Sequence, residues 1–248
     1  MNTYFSQFGE DRILAGIFQG RHSGTCVEVG ANDGVQGSTT LFFEKLGWNC
    51  ILVEPNPDLC AEIKSKRSAV VIECAASNTC GTVTLHVAEG AWRADAMSTV
   101  STREEDQQRI RQQGFTTRSM SVATATLDEL LSAAGVQSGI DFVSIDVEGH
   151  ETQVLEGFSL QKWRPRIVIV EDNSNAASNV TSEQLAREGY IRFMRTGVND
   201  WYAHRLDRQL VTLKSRITVR GVLWAVRIRA RLRRVRVLRW IRDTLRGR

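Results

Sequence analysis

Residues 25–34 read TCVEVGANDG, a short β-prone run that breaks into two glycines four positions apart. The run predicts a strand over 25–30 that turns tightly and leads into a helix over 37–46. Gly30 and Gly34 let the backbone bend and approach a ligand with no Cβ in the way, and the helix that follows offers unpaired N–H groups. The G-x-x-x-G spacing after an acid departs from the G-x-G-x-x-G of a dinucleotide pyrophosphate site. Glu28 would repel a pyrophosphate and would suit a cationic ligand. A plain strand-to-helix turn gives the same pattern, so the stretch alone leaves both readings open.

Outward from this point the chain alternates apolar runs with amphipathic segments, the pattern of a mostly parallel sheet with crossover helices. A helix is expected at 7–19, then strand 50–54, a helix over about 58–66, strand 70–74 and an antiparallel strand at 82–87. Pro55 and Pro57 end the second strand. Residues 89–119 are polar and interrupt the rhythm, as an active-site cover would, with a helix at 102–113. Order resumes at 120–125, followed by helix 126–134, strand 140–146, helix 150–157, strand 166–171, helix 181–188 and strands 190–195 and 200–204. Strands this apolar are buried on both faces. In such sheets the ligand binds beyond the carboxyl ends of the strands.

Four further features fall at those ends. Glu54 closes the second strand, where a carboxylate can accept both ribose hydroxyls of an adenosine; a solvated strand-end acid is the plain alternative. Cys74, Ala75, Ala76 and Ser77 are small enough to flank a flat ring. Asp146, Glu148, His150 and Glu151 place four ionisable groups within six positions at the mouth of the sheet, where burial is costly. Glu171 and Asp172 end the next strand. Acids ending neighbouring strands lie about 5 Å apart, so Asp146, Glu171 and Asp172 could share Mg²⁺ or another divalent cation, or else hydrogen-bond substrate hydroxyls. His150, at a helix start where the dipole disfavours its charged form, could serve as a general base or simply sit solvated.

The apolar share of 42% and charged share of 24% are those of an ordinary globular chain. Five scattered cysteines with no C-x-x-C pair read as reduced thiols in a reducing compartment, and zinc is disfavoured. The opening MNTYFSQFGEDR lacks a basic-then-apolar leader, and no run of about 20 apolar residues occurs; a cytoplasmic protein is expected. The net charge of +4 hides a division. Residues 205–248 carry 15 Lys/Arg against Asp207 and Asp243, a net of +13, which leaves −9 for residues 1–204. Residues 217–246 hold one glycine and no proline, with Val219, Val222, Leu223, Val226, Leu232, Val235, Leu238, Ile241 and Leu245 among arginines and Trp224 and Trp240. That pattern predicts a basic amphipathic helix or helix pair. It could lie on an anionic membrane at the inner face, pack in a homo-oligomer or against a partner, or bind nucleic acid; the last is disfavoured because no binding motif accompanies it.

Taken together, SQFGED (6–11), VEVGANDG (27–34), TTLFFEKLGWNCILVEPNP (39–57), AASN (75–78), TLDEL (126–130), DFVSIDVEGHETQVLEGF (141–158) and RPRIVIVED (164–172) resemble the FkbM-type methyltransferases. The likeness runs from about residue 6 to 172, continues weakly to 204, and excludes the tail. It implies a methyltransferase domain over 1–204, a class I, Rossmann-like, doubly wound sheet with helices on both faces, followed by a basic helical tail over 205–248. The cofactor it implies is S-adenosylmethionine. By likeness, Glu28, Gly30, Asn32 and Asp33 hold its methionine end and Glu54 its ribose, with Gly34, Ser38, Pro55, Ala75, Ala76 and Asp146 completing the contacts. Ser6, Gln7, Glu10 and Asp11 would close over cofactor or substrate, and Asp146, Glu148, His150 and Glu151 would stand beside the transferred methyl.

The resemblance makes O-methylation of a sugar hydroxyl on a glycan or glycolipid, or of a natural-product hydroxyl, the expected reaction. N-methylation of an amino sugar or small molecule is the nearest alternative. An NAD-type oxidoreductase shares the glycine turn and the second-strand acid, but Glu28 and the glycine spacing disfavour it. A non-catalytic protein on a retired methyltransferase fold is opposed by the intact acidic clusters.

Overall fold

The computed structural model describes residues 3–89, 100, 116–174 and 176–246. The expected helix at 102–113 and nearly all of the polar insertion lie outside the described residues. The chain forms two compact units, Met1–Glu171 and Asp172–Arg248, the second holding the last two strands and the tail helix.

The first unit contains, in chain order, α1 (Glu10–Ile17), β1 (Thr25–Val29), α2 (Leu41–Lys45), β2 (Asn49–Glu54), α3 (Pro57–Lys66), β3 (Val70–Glu73), β4 (Ala75–Ser77), β5 (Gly81–Glu89), β6 (Thr116–Thr126), α4 (Leu127–Ala133), β7 (Phe142–Ile145), α5 (Glu151–Glu156), α6 (Leu160–Trp163) and β8 (Ile167–Glu171). The second contains α7 (Val180–Arg187), β9 (Tyr190–Thr196), β10 (Asn199–His204) and α8 (Leu213–Arg246).

In the first unit β3, β2, β1, β7 and β8 lie side by side in that order, each pair parallel. Winding runs outward in one direction from β1 through β2 to β3, and in the other from β7 to β8. The topological switch point, where such sheets bind ligands, therefore lies beyond β1 and β7. This is the mixed α/β, Rossmann-like architecture of class I methyltransferases.

Register explains which helices cover which face. Cys26 and Glu28 of β1 stand opposite Cys50 and Leu52 of β2 and opposite Phe142 and Ser144 of β7, so all six share one face. Against that face Phe43 of α2 meets Phe142 at a ring-centroid distance of 5.0 Å, Phe18 and Trp48 complete the aromatic cluster, and Ile63 of α3 packs with Leu52. The opposite face carries Val27, Val29, Ile51, Val53, Val143 and Ile145, all buried. Both faces are dry, as a parallel sheet requires.

Local chemistry sets the element ends. Pro57 occupies the first turn of α3, and the Asn56 side chain accepts the Asp58 N–H at 3.1 Å. Thr126 and Glu129 form a reciprocal capping box at the start of α4. α2 is shorter than the expected 37–46 because residues 38–40 stay outside the helix and turn their hydroxyls onto a buried acid. The antiparallel strand expected at 82–87 exists as β5, but it pairs with β6 in a separate three-stranded sheet of order β4-β6-β5. α6, with its Ser159 side chain accepting the Lys162 N–H, was not expected from sequence.

In the second unit β9 and β10 form an antiparallel hairpin with an irregularity at Trp201/Tyr202. Arg195 binds Asp200 at 2.9 Å and Asp172 at 3.1 Å, and Arg192 binds Asp200 at 3.2 Å. α8 packs along β9 and buries Val219. Among the described residues no helix is long and apolar enough to cross a membrane.

The tightest point in the first unit is Gly30, at φ +83° with an imagined Cβ only 1.8 Å from the Asp146 carbonyl oxygen. Gly30→Ala should destabilise the protein by about 3 kcal/mol or more, from left-handed strain plus forced separation of β1 and β7. The urea midpoint of the variant against wild type measures it.

Candidate functional site

One cleft opens at the switch point, enclosing about 560 Å³ including its mouth, within the size range of small-molecule sites. Its lining collects the ends of separate elements: Gly30 and Asn32 after β1, Glu54 and Pro55 after β2, Ala75 and Ala76 in β4, and Asp146 and Glu148 after β7. With Cys74, nine of the residues singled out from sequence are thus brought to one place. Cys74, Leu85 and Val100 add an apolar wall. Leu85 and Val100 went unsuspected as site residues. The alternation Val83, Leu85, Val87 in β5 was visible, but nothing in it showed that this strand closes the cleft.

Glu54 is buried, and both carboxylate oxygens are held by backbone: Oε2 accepts the Asn32 N–H and Oε1 the Asn56 N–H, each at 2.9 Å. Burial pushes its pKa up to about 7, against the opposing pull of those two hydrogen bonds. Asn32 turns through φ +51° to present its N–H there.

Glu28 is a correction. Its carboxylate faces away from the cleft, on the sheet face that carries α2 and α3. It accepts from Ser38 Oγ at 2.8 Å, Thr39 N at 2.7 Å, Thr39 Oγ1 at 3.1 Å and Thr40 Oγ1 at 2.5 Å. Arg67, with its side chain fully buried, stands 3.9 Å away and also binds Glu44, Ser38, Thr40 and the Gly34 carbonyl. Glu28 and Ser38 therefore shape the floor under the cleft and do not line it. Arg67 carries no motif, and nothing in the sequence flagged it.

Other expectations are corrected likewise. Asp33 accepts the Val35 and Gln36 N–H groups, and Gly34 packs against Ile63 and Arg67. Asp11 accepts from Phe5 N, Ser6 N and Ser6 Oγ, while Glu10 accepts the Phe8 N–H. These four bonds organise the turn before α1, and neither acid, nor Ser6, nor the exposed Gln7 lines the cleft. Glu151 accepts from Gly149 N at 2.9 Å and Val147 N at 3.4 Å, so it folds the loop that presents Asp146 and Glu148. Burial raises its pKa. His150 is the N-cap residue of α5, with Nε2 3.0 Å from Ser77 Oγ, outside the lining.

The acidic cluster also differs from expectation. Asp146, Glu148 and Glu171 each place a carboxylate oxygen within 4.8 Å of the others. Asp172 is absent from the group because Arg195 and Ser174 hold its carboxylate. Three converging carboxylates have the donor type and spacing for a hard divalent cation. They equally suit the hydroxyls of a polyol.

The FkbM methyltransferase domain matches residues 28–196, spanning both the strand ends that form the cleft and the acidic loop. The chain belongs to the FkbM methyltransferase family. Methyl transfer from S-adenosylmethionine is the activity this membership supports. No curated protein matches the sequence. Solved structures similar to this FkbM chain include a TehB-like SAM-dependent methyltransferase from Corynebacterium glutamicum (9% identity, 79% of this chain and 88% of that one, TM-score 0.43). A ribosomal protein L11 methylase from Lactobacillus delbrueckii subsp. bulgaricus (10%, 78% and 75%, 0.40) is also similar. So is a Pyrococcus abyssi tRNA (uracil-54, C5)-methyltransferase in complex with S-adenosyl-L-homocysteine (10%, 82% and 40%, 0.36).

The cleft fits the family's donor. A buried strand-end carboxylate stands ready for two hydroxyls, and the Pro55, Ala75, Ala76 and Leu85 wall is apolar enough for a flat ring. The two buried acids separate by their chemistry. Glu28→Ala leaves the buried hydroxyls of Ser38, Thr39 and Thr40 without their acceptor, while Arg67 keeps Glu44 at 2.8 Å, and should lower stability by about 2–3 kcal/mol in chemical denaturation. Glu54 behaves oppositely. Its folded pKa lies above the unfolded value, so the stability it contributes is complete below pH 4.5 and disappears as pH climbs past about 7. Relative to Glu54→Gln, ligand-free wild type should lose about 3 kcal/mol between pH 4.5 and 8, read from paired urea titrations.

Proposed function

We propose that this FkbM protein transfers a methyl group from S-adenosylmethionine to a hydroxyl of a sugar, on a glycan or glycolipid, or of a natural product. The observation that carries the reading is the cleft's two-ended chemistry. One end, at Glu54 with its apolar wall, suits an adenosine. The other, at Asp146 and Glu148 with Glu171 beside them, suits a group rich in hydroxyls.

The donor supplies an electrophilic methyl on sulfonium sulfur. Glu54 accepts the ribose hydroxyls in its ionised form, and Pro55, Ala75 and Ala76 exclude water around the base. The Gly30 turn brings the backbone close to the donor's amino-acid end. Asp146 and Glu148 orient the acceptor, and a carboxylate oxygen of Glu148 takes the hydroxyl proton as the new bond forms. Glu151 holds the loop that aims them. A divalent cation held by Asp146, Glu148 and Glu171 would lower the hydroxyl's pKa. His150, tied to Ser77, serves this reading as a support for β4 against α5. Carboxylates repel phosphate, so the cleft favours neutral or cationic acceptors over nucleic acid. The same charge would welcome a protonated amine, which keeps N-methylation of an amino sugar as the second reading.

Calorimetry should show S-adenosylhomocysteine binding and NADH failing to bind. Glu54→Gln should weaken that binding about tenfold or more, and wild-type affinity should rise as pH passes from 6 to 8 while the variant stays flat. Glu148→Gln should keep donor affinity within about threefold and lower turnover by about a hundredfold. Isotope-labelled methyl incorporated from the donor into a cell extract, read by mass spectrometry, identifies the acceptor. A labelled N-methyl product would overturn the oxygen assignment, and wild-type turnover in Glu148→Gln would remove the proton acceptor.

A further inference from the structure

The methyl-transfer chemistry leaves α8 unused, and its surface has a definite composition. Between Asp207 and Asp243 the chain has 12 Lys/Arg and no Asp or Glu. Among the described side chains of the expected basic amphipathic helix, the apolar residues lie on two faces. Val219 turns inward against the hairpin strand β9 and is buried. Leu213, Ile217 and Trp224 lie four and eleven residues along, about one and three helical turns, and so share a second line on the helix. They are 74%, 61% and 68% exposed. Arg220 and Arg231 lie beside that line, at about the same angle around the axis, and are exposed as well.

We propose that this face of α8 docks on an anionic phospholipid surface. Large apolar side chains in water cost free energy unless something covers them. A tryptophan and two aliphatics ringed by guanidinium groups match the interface between acyl chains and negative headgroups. The charge is complementary along the whole segment, since no acid interrupts it. Nucleic acid would use the arginines but gives Leu213 and Ile217 no partner. A second copy of the same face would set two acid-free helices against each other, with arginine facing arginine.

The test is sedimentation of the full chain with vesicles of phosphatidylcholine containing about one-third phosphatidylglycerol, beside vesicles of phosphatidylcholine alone. The protein should pellet with the first and stay in solution with the second, and salt should weaken the association. Ile217→Ser with Trp224→Ser should reduce binding about tenfold or more, with helical content and melting temperature retained. Arg220→Gln with Arg231→Gln should reduce it about 25-fold, at about fivefold per charge. Trp224→Phe keeps the face apolar and should retain most of the binding, which separates loss of the face from loss of the fold. Equal or absent binding to the two vesicle types overturns the proposal. So does wild-type affinity in the Ile217/Trp224 variant, with a single-stranded RNA homopolymer competing the protein off, which would assign the helix to nucleic acid. Concentration-dependent self-association abolished by Trp224→Ser, without vesicle binding, would overturn it in favour of a self-interface.

Discussion

The floor of the cleft depends on one buried ion, the Glu28 carboxylate. Placed near the carboxyl end of β1 on the face that carries α2 and α3, it is too costly to bury without full compensation. The compensation consists of three hydroxyl or amide-bearing residues in a row, Ser38, Thr39 and Thr40, and the guanidinium of Arg67. Satisfying that charge dictates the local fold. Residues 38–40 stay out of α2, Arg67 ends α3 pointing back toward β1, and Gly34 stays small because Ile63 and Arg67 fill the space a Cβ would need. The loop from Gly30 to Ser38 is thereby tied down at both ends. Its rigidity is what lets Asn32 hold a strained backbone angle and deliver its N–H to Glu54.

Two glutamates at neighbouring strands therefore have opposite energetics. Glu28 meets four donor groups and a cation, and its charge is a structural asset. Glu54 meets two backbone N–H groups and a dehydrated wall, so its charge is held at a cost that lifts its pKa to about 7. A carboxylate kept short of partners has hydrogen-bonding capacity left for a ligand. Ribose hydroxyls would complete the shell that Glu28 already has from serine and threonine. On the proposed reading, the penalty for ionising Glu54 in the empty cleft would be partly relieved when donor hydroxyls bind it.

This contrast marks how far the sequence was legible. Periodicity and the Gly30 turn sufficed for the parallel sheet, the strand ends and the location of the cleft, because burial on both faces leaves a plain signature in Val27 to Val29, Ile51 to Val53 and Ile167 to Val170. The strand-end residues Glu54, Pro55, Asp146 and Glu148 followed from the same rule. The direction of a side chain did not. Glu28 is the penultimate residue of β1, and its face is decided by register with Leu52 and Ser144, which only pairing reveals. The side-chain hydrogen-bond partners of Arg67 lie 23 or more residues away, and the described residues packed with Val100 belong to β4, β5 and β6. Glu171 and Asp172 are adjacent in sequence, yet Arg195, 23 residues on, claims the second and leaves the first to the acidic cluster.

The near-neutral composition of the chain conceals two strongly charged surfaces, and the separation has a chemical consequence. Carboxylates at Asp146, Glu148 and Glu171 give the cleft a field that repels phosphate and sulfate. The acid-free run of α8 attracts the same groups. On the docking proposal, headgroup phosphates would bind α8, and the charge of the cleft would favour an uncharged hydroxyl over them. On the two proposals together, opposite charge would separate an anionic headgroup from a polyol acceptor without either having to be recognised by shape.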